Sequence, residues 1–247
     1  MRDWKEEFDN RVAFIKELMA ESHASGLIFG NSGGKDSALV GALCKAACSD
    51  TVGVIMPCGV GRNYSEDLED AKALAAMHDI ESRIVDLGPV REAELAILSG
   101  VTEVTASALA NIAPRLRMTT LYAIAGSENR LVAGTGNRDE MFTGYFTKWG
   151  DGAHDFNPIS DLTVAEVYEF LAYVGAPENI LKKAPSAALA EGQTDEGEMG
   201  VSYSVLDKYI LTGGCEDPEA RKRMDHLHAV SNHKRRGIAR YRLMPEQ

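Results

Sequence analysis

The stretch Leu27-Ile28-Phe29-Gly30-Asn31-Ser32-Gly33-Gly34-Lys35-Asp36-Ser37 is apolar at first, stops at glycines, and then presents Lys, Asp and Ser. Gly26 to Phe29 reads as a short buried strand. Ala38 to Ala47, small and apolar at helical spacing, reads as the helix that follows. A strand broken at paired glycines ahead of a helix suits an anion. Glycine lets the backbone approach closely, successive N–H groups form an anion-binding nest, and the helix adds the positive end of its dipole. Ser32 and Ser37 can donate hydroxyl hydrogen bonds. Asp36 would repel a bare phosphate unless a cation stood between them, so it reads as a Mg2+ ligand. The loop is not a Walker A sequence, because Gly34-Lys35 is followed by Asp36 rather than Ser or Thr, and it does not fit GxGxxG.

Working outward, Trp4, Phe8, Val12, Ile15, Leu18 and Met19 recur at three- and four-residue steps and mark one face of a first helix. Val52 to Met56 reads as a second strand. Ser65 to Met77 reads as a helix, with acids in its first turn where the dipole favours them. Arg83 to Leu87 reads as a third strand and Leu131 to Ala133 as a fourth, with helical stretches around 92–98 and 115–127 between them. Strands alternating with helices predict an α/β fold, a doubly wound parallel sheet covered on both faces. Ligands in such sheets bind at the carboxyl ends of the strands, where the glycine-rich loops after the first and fourth strands both fall. Past Asp161 the chain turns helical, opening on a Thr163–Glu166 capping box. The polar run 184–200 reads as a loop, either a lid over the site or plain surface.

The 247 residues show no repeat or low-complexity linker and are read as a single domain, 1–247. With 26 basic against 37 acidic residues the net charge is -11, which argues against a general nucleic-acid binder. One nucleotide held by local charges stays possible. The four cysteines form no CxxC pair, the N-terminus lacks the apolar core of a signal peptide, and no apolar run approaches the ~20 residues that span a bilayer. These features predict a cytoplasmic protein with free thiols and no membrane attachment.

The second informative stretch is Gly134-Thr135-Gly136-Asn137-Arg138-Asp139-Glu140 and its continuation to Gly152. Glu140 is a second carboxylate at the same sheet edge as Asp36, and two carboxylates beside phosphates are the usual protein share of a Mg2+ site. Tyr145, Phe146 and Trp149 read as a wall for a flat ring or equally as core. His233-Lys234-Arg235-Arg236 reads, on composition, as a solvated basic tail.

SGGKDS resembles the SGGxDS loop of the ATP pyrophosphatases, the PP-loop (adenine nucleotide alpha hydrolase-like, Rossmann-like) enzymes. The NIAPRLRM helix, GTGNRDEMFTGYFTKWGDGAHDFNPISDLT, KKAPSAALAEGQTDEGEMGVSYSVLD and NHKRR follow it in that order, the matches running from about Gly30 to Arg236, and are similar to the segments of the NAD synthetases. The resemblance implies ATP-driven adenylation of the nicotinate carboxylate of deamido-NAD, followed by attack of ammonia to give NAD, AMP and pyrophosphate. It implies that Gly30, Asn31, Ser32, Gly33, Gly34, Lys35, Asp36, Ser37, Thr135 and Ser186 bind ATP. It implies further that Asp36 and Glu140 bind Mg2+, that Arg115, Lys148, Asp155, His233 and Lys234 hold deamido-NAD, and that Asp36 and Lys148 are catalytic. It also implies a homodimer. Only about 25 residues precede the first of these segments, so the ammonia-dependent type without a glutaminase domain is expected. Where the family usually carries a Lys after its D-L-x segment, this chain has Val164. The rivals are another PP-loop ligase, such as a tRNA-thiolating enzyme, which should show catalytic cysteines and a basic surface, and a nucleotide-binding module without catalysis.

Overall fold

The computed structural model describes residues 2–59, 64–182, 194–239 and 241. Four strands, β1 (Gly26–Gly30), β2 (Thr51–Ile55), β3 (Glu81–Ile84) and β4 (Arg130–Ala133), form an all-parallel sheet in the order β3-β2-β1-β4. β1 is central and buried throughout all but its last residue, as expected for a strand with neighbours on both sides and helices on both faces.

Alternation along β1 divides the core. Leu27 and Phe29 face one layer, packed by Ile15 of α1 (Trp4–Ser22), Leu39 and Leu43 of α2 (Lys35–Ala47), Leu74 of α3 (Glu66–Met77) and Phe170 of α7 (Val164–Tyr173). Ile28 faces the other, with Val52, Val54 and Val132, against Leu121 and Ala125 of α5 (Ala106–Glu128). Two clusters on opposite faces of one sheet are the doubly wound arrangement that the strand–helix alternation predicts. α4 (Gly88–Leu98) lies between β3 and α5 along the chain, and only Gly88 of it is buried.

Two elements differ from the sequence reading. β3 starts at Glu81 rather than Arg83, although Val85 and Leu87 still donate to the Ile55 and Pro57 carbonyls beyond it. Glu81 and Ser82 are polar because β3 is an edge strand with exposed side chains, so hydropathy does not mark its start. The helical stretch expected around 115–127 is the second half of the 23-residue α5, which runs straight through Pro114. Proline there removes one helical hydrogen bond and ordinarily signals a break.

The last layer is helical. α6 (Arg138–Thr143), α9 (Asp195–Met199), α10 (Tyr203–Thr212) and α11 (Pro218–Val230) meet the start of α7 around Val164, Met199, Tyr203, Leu206 and Met224. The expected loop 184–200 therefore ends in a docked helix. Thr194 caps α9, Gly200 closes it in the left-handed conformation, and the Tyr203 hydroxyl donates to buried Asp195 at 3.0 Å. The short α8 (Glu178–Lys182) and α12 (Asn232–Arg235) complete the described helices.

Candidate functional site

The loop after β1 is a rigid turn braced from α3. Asn31 is buried and uses both ends of its amide, donating to the Ala71 carbonyl at 2.8 Å and accepting from the Gly33 N–H at 3.2 Å. Gly33 has φ +72°, and a Cβ there would lie 2.5 Å from the Asp67 carbonyl oxygen. Both conformation and space require glycine. Ser32 and Ser37 hydroxyls meet at 3.1 Å across the turn. Gly34 is the N-cap of α2 and offers no side-chain cap, so the first turn of a 13-residue helix presents its N–H groups to whatever binds there.

The loop after β4 comes to the same edge. Asn137 is fully buried and begins α6. Its Oδ1 accepts from the Glu140 N–H at 3.0 Å, and Glu140 Oε2 accepts from the Asn137 N–H at 2.9 Å, a reciprocal cap. The remaining Asn137 Nδ2 donates to Asp36 Oδ1 at 3.2 Å. One residue thus holds both candidate metal carboxylates, Asp36 through its side-chain amide and Glu140 through its backbone N–H. Burial and Asp36 push the Glu140 carboxyl well above the ordinary carboxylate range, and Lys35 pulls it back. The Lys35 ammonium lies 2.6 Å from Asp36 Oδ2. Hard oxygen donors already holding one cation are a donor set that suits Mg2+, and Asp36 and Glu140 are the residues that would hold it.

Beneath this pair lies an acid pair that spacing alone does not mark. Asp139 and Asp207 are buried, and they accept from successive N–H groups at the start of α7, Val164 and Ala165, at 2.9 and 3.0 Å. Their Oδ1 atoms have no hydrogen-bond partner among the described residues. Burial and the neighbouring Asp207 accordingly push Asp139 up to about 8. The capping box of α6 is the signal that could have pointed to Asp139. Nothing local points to Asp207.

The candidate dinucleotide residues gather round the loop 144–151. Arg115 of α5 donates to the Lys148 carbonyl at 3.4 Å, and Lys148 Nζ donates to the His233 carbonyl at 2.8 Å. Lys234 Nζ donates to the Gly144 and Phe146 carbonyls, both at 2.6 Å, and Arg235 donates to Met141 and Phe142. The basic segment is therefore docked rather than solvated. Tyr145 joins the helical core and donates to Glu198 at 2.7 Å, whereas Trp149 is 51% exposed beside Lys148. Asp155 is placed elsewhere, accepting from Tyr122 at 3.1 Å and from the Val132 N–H at 2.7 Å, where residues 155–156 run alongside β4. Thr135 is half-buried on the loop after β4. Ser186 lies outside the described residues.

A parallel sheet with a glycine loop at the end of its central strand and paired carboxylates at the switch to β4 defines the PP-loop class of nucleotide-binding α/β proteins. The chain belongs to the NAD synthase family, whose pattern it matches over residues 7–242. It is 48% identical over 239 residues to an NH3-dependent NAD+ synthetase of Carboxydothermus hydrogenoformans, spanning 95% of this chain and 96% of that one. Its fold superposes on an NMN synthetase from Francisella tularensis with a TM-score of 0.91 at 37% identity, covering 98% of this chain and 100% of the other. An NH3-dependent NAD synthetase from Campylobacter jejuni gives 0.80 at 30% identity with the same coverage.

Proposed function

We propose that the chain makes NAD from deamido-NAD, ATP and ammonia. The observation that carries this is the Asn137 bridge between Asp36 and Glu140 at the mouth of the glycine loop, in a chain of the NAD synthase family. The nicotinate carboxylate attacks the α-phosphorus of ATP, one P–O bond forms, and the bond to pyrophosphate breaks. Ammonia then attacks the acyl carbon, loses a proton and expels AMP. The N–H groups of residues 30–37, with Ser32, Ser37, Lys35, Thr135 and Ser186, hold the nucleotide phosphates. Arg115, Lys148, His233 and Lys234 hold the dinucleotide, with Lys148 beside the reacting carboxylate. Arg115, Lys148 and Lys234 all sit on backbone carbonyls and exchange those partners for phosphate on binding, where a charge-assisted bond is stronger. Bound Mg2+ supplies charge neutralisation at the phosphates, and Asp36 and Glu140 keep its place. Alignment of two anions is the protein's main task.

The exposed apolar residues Val90, Ile97 and Val101 on and just beyond α4 support a homodimer, since a second copy would bury them. Among the described residues no helix is long and apolar enough to cross a membrane. That, the four free cysteines and the use of ATP support a cytoplasmic location.

The test incubates protein and Mg-ATP with deamido-NAD and ammonium, then with glutamine instead, and quantifies NAD, AMP and pyrophosphate. NAD formed one-to-one with AMP from ammonium supports the proposal. Intact folded protein that makes neither NAD nor pyrophosphate overturns it. The similarity to the Francisella enzyme, named for NMN, favours a second reading in which the mononucleotide is the preferred acceptor. Comparing kcat/KM for nicotinic acid mononucleotide and deamido-NAD decides between them.

A further inference from the structure

Lys35 occupies a position that lysine rarely takes. It opens α2, its side chain is 6% exposed, and its ammonium lies 2.6 Å from Asp36 Oδ2 and 5.9 Å from the centre of the Tyr203 ring. Its ammonium is paired with a carboxylate at hydrogen-bond distance. Two part-buried carboxylates held by one residue, Asn137, repel each other, and a unit positive charge paired with Asp36 relieves this. Here that charge is on a tether. A divalent ion that takes the same oxygens must displace it, because two cations cannot share them without repulsion. The displaced ammonium keeps a flexible four-carbon stem, rooted at the N-terminus of α2 where the loop N–H groups face an anion.

We infer that Lys35 is a built-in counter-ion of the Asp36–Glu140 pair, which competes with the divalent cation for those carboxylates and transfers to the ATP phosphates when the cation arrives with nucleotide. The inference rests on the reading of Asp36 and Glu140 as cation ligands and deepens it. It assigns Lys35 two partners in turn, and it makes metal binding weak until a polyphosphate is present to receive the ammonium.

The test uses Mn2+ as probe. Free Mn2+ is followed by electron paramagnetic resonance on the full chain without nucleotide, for wild type, Lys35→Met, Lys35→Arg and Glu140→Gln. Lys35→Met is expected to bind Mn2+ about tenfold more tightly than wild type, Lys35→Arg like wild type, and Glu140→Gln much more weakly. At saturating Mn2+, Lys35→Met is expected to bind a non-hydrolysable ATP analogue about tenfold more weakly. Should Lys35→Met fail to fold, Lys35→Gln, which keeps a donor but no charge, takes its place with the same expectations. Unchanged or weaker Mn2+ binding in the uncharged variant overturns the inference, as does unchanged analogue binding or an arginine variant that behaves like the methionine one. NAD formation by wild type is measured in parallel. NAD made with Mn2+ affinity unmoved in Lys35→Met removes the counter-ion role alone. Tighter Mn2+ binding with no NAD removes the reaction alone.

Discussion

The Asn137 amide joins both halves of the site. Its Oδ1 fixes the start of α6 and its Nδ2 fixes Asp36. Asn137→Ala is expected to lower Mn2+ affinity 10- to 100-fold, the usual effect of removing a partner that orients a metal ligand, with about 1 kcal/mol of stability lost from the cap. Asn137→Asp separates the two effects. It keeps a cap and so most of the stability, but it turns a donor toward Asp36 into a third carboxylate. Titration with Mn2+ beside thermal melting checks both. Val164 poses a different question. The family resemblance expects Lys there, yet the valine is 4% exposed and packs with Met199, Leu206 and Met224. Val164→Lys forces an ammonium into that packing or strains its exit. A loss of about 2 kcal/mol, seen as a fall in Tm of about 4–8 °C, is expected. A rise in kcat/KM of tenfold or more would instead show that the site lacks a cation, and that Lys35 does not cover its absence.

At the scale of elements, α1 is held to the start of α7 by charge as much as by its apolar face. Arg2 donates to Asp161 and Glu166, and Arg11 donates to Glu7, Asp161 and the Pro158 carbonyl. Burial would raise the Asp161 carboxyl, but Arg11 and Arg2 together hold it below its ordinary value. A depressed carboxylate stabilises the fold fully above its unfolded pKa, near 4, and loses that contribution as pH falls through the folded value. Asp161→Asn should therefore be less stable than wild type by a constant amount from pH 7 to 5, with the gap closing below about pH 4. Asp161 is half exposed, so screening limits the gap to about 1 kcal/mol, smaller in high salt. Urea melts at several pH values measure it, and a gap that does not begin to narrow as pH falls below about 4 would exclude the ionic account. The same elements show what the sequence could disclose. β1, α2 and β4 announce themselves because buried strands are apolar runs and glycines mark their ends. The edge strand β3 and the continuous α5 do not, because exposed strands need no hydropathy and Pro114 is tolerated where packing supports the helix. Asp36 and Glu140 were legible as carboxylates beside glycine turns. Asn137 and the Asp139–Asp207 pair were not, since their roles arise from contacts that join residues 36, 137, 139, 164 and 207 only after folding.

For the whole molecule, the net charge of -11 sets two constraints. Polyanionic substrates meet a repulsive surface except where cations are placed, and Arg115, Lys148 and Lys234 are gathered round the loop 144–151 while Lys35 stands at the glycine loop. Association of two such chains must likewise overcome repulsion between like charges. The proposed dimer therefore depends on apolar area, and the end of α4 with the residues just beyond it supplies it: Ile97 is 68% and Val101 78% exposed. Ile97→Asp adds one more negative charge where burial is needed, and is expected to shift the protein from dimer to monomer in sedimentation velocity, weakening association at least tenfold. Wild-type association should tighten as salt rises from about 0.05 to 0.5 M, because the Debye length shortens from roughly 14 to 4 Å and repulsion fades while apolar burial does not. A wild type that stays monomeric across that range, or a dimer indifferent to Ile97→Asp, would place the interface elsewhere or remove it. In that case α4 would have to be an ordinary exposed helix, and its apolar side chains would be left without a structural reason.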